Sequence, residues 1–187
     1  MVCNGANREK ILEHIDDNRC AYVFKLKDET ESTAMIALQG PKVMDVLSKV
    51  SSEIKDLKRY RFATKHLLIA KLLISRTGYT GEDGVEIILP AKFAKKAVDM
   101  MLTNMEDPSV ILPSGLGARD SLRLEAGMPL YGHELTEEID PLAAGLHFAV
   151  KLEKGIGENE AASFIGQEAL QEISNQNPKM KLVGLTL

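Results

Sequence analysis

The sequence predicts an α+β domain, and three observations carry that prediction. Short apolar runs at Ala34–Leu38, Leu67–Ser75 and Val85–Leu89 are bounded by glycine, proline or polar residues, as strands are. Other stretches repeat apolar residues every three to four positions, the spacing of one helix face. The two kinds are interspersed without a strict βαβ alternation, so the expected pairings are antiparallel.

In chain order, Asn4–Asn7 reads as a turn. Arg8–Asp16 reads as an amphipathic helix, with Ile11, Leu12 and Ile15 on one side. Tyr22–Leu26 reads as a short strand and Ala34–Leu38 as its antiparallel partner. Gln39-Gly40-Pro41 breaks the pattern, and Pro41 suits the first turn of a helix. That helix continues through Val43, Val46, Leu47 and Val50. A short strand is placed near Arg59–Ala63. Leu67–Ser75 and Val85–Leu89 form a pair around a glycine-rich turn, and Phe93–Leu102 is a helix with Phe93, Ala97, Val98 and Met101 on one side. Asn104–Pro113 is a loop. Ser114 is the expected N-cap of the next helix, and Gly127 followed by Pro129 is its stop signal. Asp140–Val150 reads as a short helix or turn and then a strand. Gly155–Glu160 is the best linker candidate, Phe164–Ile173 a small helix, and Lys181–Leu187 a strand cut in the middle.

Composition excludes several classes of function. The chain has 187 residues, 44% of them hydrophobic, which suffices for a packed core. Net charge is −4 with both signs mixed throughout, unlike the clustered Lys and Arg of a nucleic-acid footprint. No apolar run approaches membrane-spanning length. Cys3 and Cys20 match no metal spacing and read as free thiols. His14, His66, His133 and His147 show no ligand spacing either, so no metal is expected.

Arg76–Pro90 carries the chemistry. Gly78, Gly81 and Gly84 permit a tight, irregular turn. In the strand after it, Val85, Ile87 and Leu89 point to one face and Glu86 and Ile88 to the other. A carboxylate among apolar neighbours needs a partner. Glu86 facing an apolar wall suits a flat heterocycle with adjacent N–H donors, because it can accept two parallel hydrogen bonds. A pterin's amino-pyrimidine edge is such a donor pair. Tyr79 supplies a ring or a hydroxyl on the turn. On the helix from Ser114 to Gly127, Leu116, Arg119, Asp120 and Arg123 share a face, and Asp120 and Arg123 can pair three residues apart. An arginine near Glu86 would hold it ionised or bind a carboxylate tail. Structural readings stand beside these. Glu86 also fits the solvent face of a half-exposed strand, Tyr79 a turn aromatic packed on its own hairpin, and the two arginines a salt-bridge set with Asp120 or Glu125.

Tyr79–Ile87 (YTGEDGVEI) and Ala118–Gly132 (ARDSLRLEAGMPLYG) resemble the aminomethyltransferase family, the T-protein of the glycine cleavage system and its folate-dependent relatives. Leu38–Pro41, Asp140-Pro141 and Phe164–Gln167 fit the same pattern in the same order. The resemblance implies ammonia release and transfer of a one-carbon unit from the aminomethyl group on the lipoyl arm of the H-protein to tetrahydrofolate. It implies a folate-binding fold of mixed and antiparallel sheets with flanking helices over residues 1–154. A linker and the first strand of a C-terminal β-barrel domain would follow over residues 155–187. By the same resemblance Glu86, Arg119, Tyr79 and Asn4 bind folate, while Asp120 and Arg123 support the helix. No metal enters this chemistry. The catalytic residue is not assigned within this chain, since the family's aspartate is expected upstream of Met1, so the chain alone is expected to be inactive. Lipoylated H-protein and tetrahydrofolate are the implied partners. The implied location is the prokaryotic cytoplasm, or the mitochondrial matrix in a eukaryote. The rival readings are a folate-binding relative of the iron–sulfur maintenance type and the folate domain of a dimethylglycine- or sarcosine-oxidising enzyme.

Overall fold

A computed structural model of the chain describes residues 1–20, 22–50, 54, 56–67, 70–103, 110–155, 163–176 and 180–184. Its centre is a four-stranded antiparallel sheet. The strands are β1 (Thr33–Gln39), β2 (Phe62–Leu67), β3 (Ala70–Ser75) and β4 (Gly84–Pro90), in the spatial order β1-β4-β3-β2. The helices are α1 (Arg8–Asp17), α2 (Val43–Val50), α3 (Ala94–Thr103), α4 (Leu116–Glu125) and α5 (Gln167–Ser174).

β4 is central because its alternate residues are apolar enough to be buried. Val85, Ile87 and Leu89 are all buried on one face, where they meet Ile74 of β3 and Val43 and Leu47 of α2. Ile36, Leu38 and Leu72, with Phe93, Ala97 and Met101 of the α3 region, close this core. The period-2 alternation expected of β4 therefore holds, and it sends Glu86 to the opposite face. There Glu86 is opposite Ala37 of β1 and Ser75 of β3, so its backbone is fixed from both sides.

Several expectations are corrected. Tyr22–Leu26 is not a strand. It is exposed irregular chain, with the Arg19 guanidinium on the Phe24 ring and donating to the Phe24 carbonyl at 2.6 Å. β1 pairs instead with β4, whose buried apolar face continues its own. The strand expected over Arg59–Ala63 starts only at Phe62. Tyr60 takes a left-handed conformation (φ 60°) within a turn closed by Arg61 N–H on the Lys58 carbonyl, and that turn delays the strand. The strand expected within Asp140–Val150 is absent. Asp140 Oδ1 accepts from the backbone N–H groups of Leu142 and Ala143 at 2.9 Å each, and a 3-10 turn follows at His147–Ala149. The terminal barrel strand is not present over residues 180–184, which are irregular, although Leu182 N–H donates to the Ala143 carbonyl at 3.1 Å. Residues 185–187 of that expected strand, residues 104–109 of the expected loop and residues 156–160 of the expected linker lie outside the described residues.

Ser114 is not the N-cap of α4. Its hydroxyl turns back to the Leu112 carbonyl at 3.5 Å, and Gly115 is the cap. The stop signal at Gly127 does hold. Gly127 is left-handed (φ 67°), Met128 N–H reaches the Arg123 carbonyl at 2.8 Å, and Gly127 N–H reaches that of Leu124 at 2.9 Å. That is a Schellman closure, and it aims the chain after α4 back along the helix.

Candidate functional site

The site is built on the β3–β4 turn. The turn is held at its base by Arg76 and Asp83, whose side chains make a two-pronged pair at 3.0 and 2.5 Å. The third prong of Arg76 goes to the Leu57 carbonyl at 2.7 Å. Asp83 also receives the Gly84 N–H at 3.0 Å, and its carbonyl accepts from Gly40 N–H at 2.8 Å. The hydrogen bonds from Arg76 are the chief reason the Asp83 carboxyl lies below the usual carboxylate range.

Gln39, the last residue of β1, inserts its carboxamide into the turn. Its Nε2 donates to the carbonyls of Thr77 at 3.3 Å and Val85 at 3.2 Å. A Cβ on Gly78 or Gly84 would overlap the Gln39 Oε1, so a side chain at either position would have to displace the Gln39 carboxamide from its two hydrogen bonds. The Gln39 Oε1 itself is buried without a hydrogen-bond partner, as is the Thr80 hydroxyl in the same turn.

The tip of the turn docks on the end of α4. Gly81 (φ 79°) passes close enough to Ala126 that a Cβ would stand 2.8 Å from the alanine methyl. The Tyr79 hydroxyl donates to the Pro129 carbonyl at 2.6 Å. Burial raises the Tyr79 pKa above its ordinary value, so the phenol keeps the proton that makes this bond. Docking brings Arg119 over the Tyr79 ring, 5.1 Å from its centroid. Such a stacked guanidinium keeps its in-plane N–H groups for another acceptor. The Arg119 guanidinium makes no ion pair or hydrogen bond among the described residues, and only its backbone N–H donates, to the Gly115 carbonyl at 3.3 Å.

Arg123, one turn further along α4, is 3% exposed, and its Nε and Nη1 are engaged. Its Nε donates to Asp120 at 2.8 Å and its Nη1 to Glu134 at 2.6 Å and to the Met128 carbonyl at 3.2 Å. Glu134 in turn accepts from Leu130 N–H at 3.0 Å, the largest of the effects that lower its pKa. These contacts fit the supporting role expected of Asp120 and Arg123. They fold the segment after α4 against the helix and place Pro129 for Tyr79.

Of the four expected ligand residues, the structure brings Tyr79 and Arg119 into contact. Glu86, half-buried, receives the Thr77 hydroxyl on Oε2 at 2.5 Å. Tyr79 lies two residues beyond Thr77, and Arg119 lies on Tyr79. Arg119 does not pair with Glu86: no ion pair joins them among the described residues. Asn4 is exposed in the N-terminal turn, where its carbonyl accepts from Asn7 N–H at 3.0 Å. No hydrogen bond among the described residues links Asn4 to the other three. Sequence reasoning missed Thr77, Gln39 and the Arg76–Asp83 pair. Only the last had a readable signal, opposite charges at the two ends of a glycine turn.

The family model described as "GCVT N-terminal domain" matches residues 1–154. The chain is 39% identical over its whole length to the aminomethyltransferase of Thermoanaerobacter sp. (strain X514), of which it covers 49%. It is 44% identical over its whole length to that of Rubrobacter xylanophilus, covering 48%. It thus spans about half the length of the curated relatives it matches. Among solved structures it resembles the glycine cleavage system aminomethyltransferase T from Bartonella henselae, with a TM-score of 0.77 at 30% identity, covering 94% of this chain and 45% of that one. The expected α+β fold with an antiparallel sheet and flanking helices is the fold of these relatives, and the chain belongs to the GCVT N-terminal domain family.

Proposed function

We propose that the intact protein containing this chain is the aminomethyltransferase of a glycine cleavage system. It moves the one-carbon unit of an aminomethyl group on a lipoylated H-protein to tetrahydrofolate, with release of ammonia. The observation that carries this reading is the β3–β4 turn. It carries a half-buried carboxylate and a tyrosine whose ring lies under an arginine with no side-chain acceptor among the described residues. End-to-end identity to proteins named aminomethyltransferase supports it.

In this reading Glu86 accepts the paired N–H donors of the pterin ring, a charge-assisted and geometrically selective contact. Arg119 binds an anionic or carbonyl group of the folate with the N–H groups its stacking leaves exposed, and Tyr79 fixes the plane of that guanidinium. Asn4 meets the pterin edge as well, by the family resemblance alone. Catalysis is then chiefly positioning: a folate nitrogen is held against the methylene carbon as ammonia leaves. The group that handles the proton is not assigned among residues 1–187. The folate-binding unit is residues 1–154, and the bacterial relatives favour a cytoplasmic location.

Incubating the intact protein with aminomethyl-loaded H-protein and tetrahydrofolate tests this. Formation of 5,10-methylenetetrahydrofolate and ammonia is the expected result. Tetrahydrofolate binding without turnover would instead favour a folate-binding relative of the iron–sulfur maintenance type.

A further inference from the structure

Glu86 serves as a two-pronged acceptor at the least entropic cost if its carboxylate plane is set before the ligand arrives. Its backbone is fixed by pairing to β1 and β3. That leaves the side-chain torsions, and among the described residues one hydrogen bond restrains them: the Thr77 hydroxyl on Oε2 at 2.5 Å, a short charge-assisted bond. The second oxygen, Oε1, has no hydrogen-bond donor among the described residues. A carboxylate offers about four lone-pair sites over two oxygens. Thr77 uses one and leaves the rest.

Thr77 is itself held. Its carbonyl accepts from the Gln39 carboxamide, which lies between Gly78 and Gly84 and also binds the Val85 carbonyl. As a β-branched residue it has few χ1 choices. A line of contacts therefore runs from the end of β1 through Gln39 and Thr77 to the Glu86 carboxylate.

We infer that Thr77 is a positioning residue for Glu86. Its hydroxyl holds the carboxylate in the orientation that receives two adjacent N–H donors of a flat heterocycle, and Gln39 holds Thr77. The inference rests on the reading of Glu86 as a folate acceptor and deepens it. Thr77 touches the ligand only through Glu86, so its effect must vanish when the Glu86 charge is gone.

The test is a double-mutant cycle read by calorimetric titration of the intact protein with tetrahydrofolate, with circular dichroism to show that each variant is folded. Thr77→Val should weaken binding about tenfold, and Thr77→Ser, which keeps the hydroxyl, should stay within about threefold of wild type. In a Glu86→Gln background, adding Thr77→Val should change affinity less than about twofold, because coupled residues are not additive. Should Thr77→Val fail to fold, Thr77→Ala takes its place in the same cycle. Unchanged affinity in the Thr77 variants while Glu86→Gln weakens binding would overturn the role of Thr77 alone. So would a tenfold loss that persists in the Glu86→Gln background, which is what a merely structural role gives. Unchanged affinity in Glu86→Gln would overturn the reading of Glu86 and the inference with it.

Discussion

At the scale of single residues, space and charge decide what the site tolerates. Gly78 and Gly84 flank a buried carboxamide, so Gly84→Ala should destabilise the domain by about 1–3 kcal/mol, the usual cost of forcing a methyl into a filled position. A lower denaturation midpoint at unchanged m-value checks this. Gly127→Ala differs in cause. No atom lies within 4 Å of its Cβ position, but its φ of 67° costs an L-residue about 1–2 kcal/mol. Glu86 and Arg119 were legible in the sequence because their residue types sit at unusual places, a carboxylate in an apolar strand and an arginine on a helix of small residues. Thr77 and Gln39 were not. A threonine in a turn and a glutamine at a strand end are ordinary residues, and only the register of β1 on β4 shows that they meet.

At the scale of elements, the β3–β4 turn is an electrostatic device as well as a steric one. The Asp83 carboxyl has its folded pKa lowered by Arg76, and Glu134 by Leu130 N–H and Arg123. Asp28, held by the Thr30 hydroxyl and N–H and by Arg8, is lowered to about 2. A carboxyl with a lowered folded pKa stabilises the protein fully above its unfolded value, and that contribution is lost as pH falls through the folded value. Stability should therefore decline below about pH 5, and Asp83→Asn should flatten the slope of that decline in acid titrations. The elements themselves were readable wherever apolar period and punctuation agreed, as in α1, α2 and β4. They were misread where a partner decides the outcome. Tyr22–Leu26 has strand composition but pairs with no strand among the described residues, and its apolar side chains stay exposed. The start of β2 depends on a left-handed Tyr60, which β-turn statistics do not favour.

At the scale of the whole molecule, one sheet does two jobs. The face built from Val85, Ile87 and Leu89 makes the core, and the opposite face carries Glu86. α4 joins the two levels, because its buried Arg123 and its Schellman end position the chain that receives Tyr79. Removing that support without touching the ligand residues should still weaken the site: Arg123→Met should lower tetrahydrofolate affinity in the intact protein together with its melting temperature. The antiparallel α+β plan was legible because it follows from pattern alone. The docking of the turn on α4 was not, since it depends on the approach of Gly81 to Ala126, which no spacing encodes. The central claim is that Glu86 anchors the folate, and calorimetric titration of the intact protein with tetrahydrofolate, wild type against Glu86→Gln, tests it most directly. The substitution keeps size and removes one charge-assisted bond, so it should cost about 1.5–3 kcal/mol and raise Kd roughly 10- to 150-fold. Equal dissociation constants for the two proteins would contradict the account.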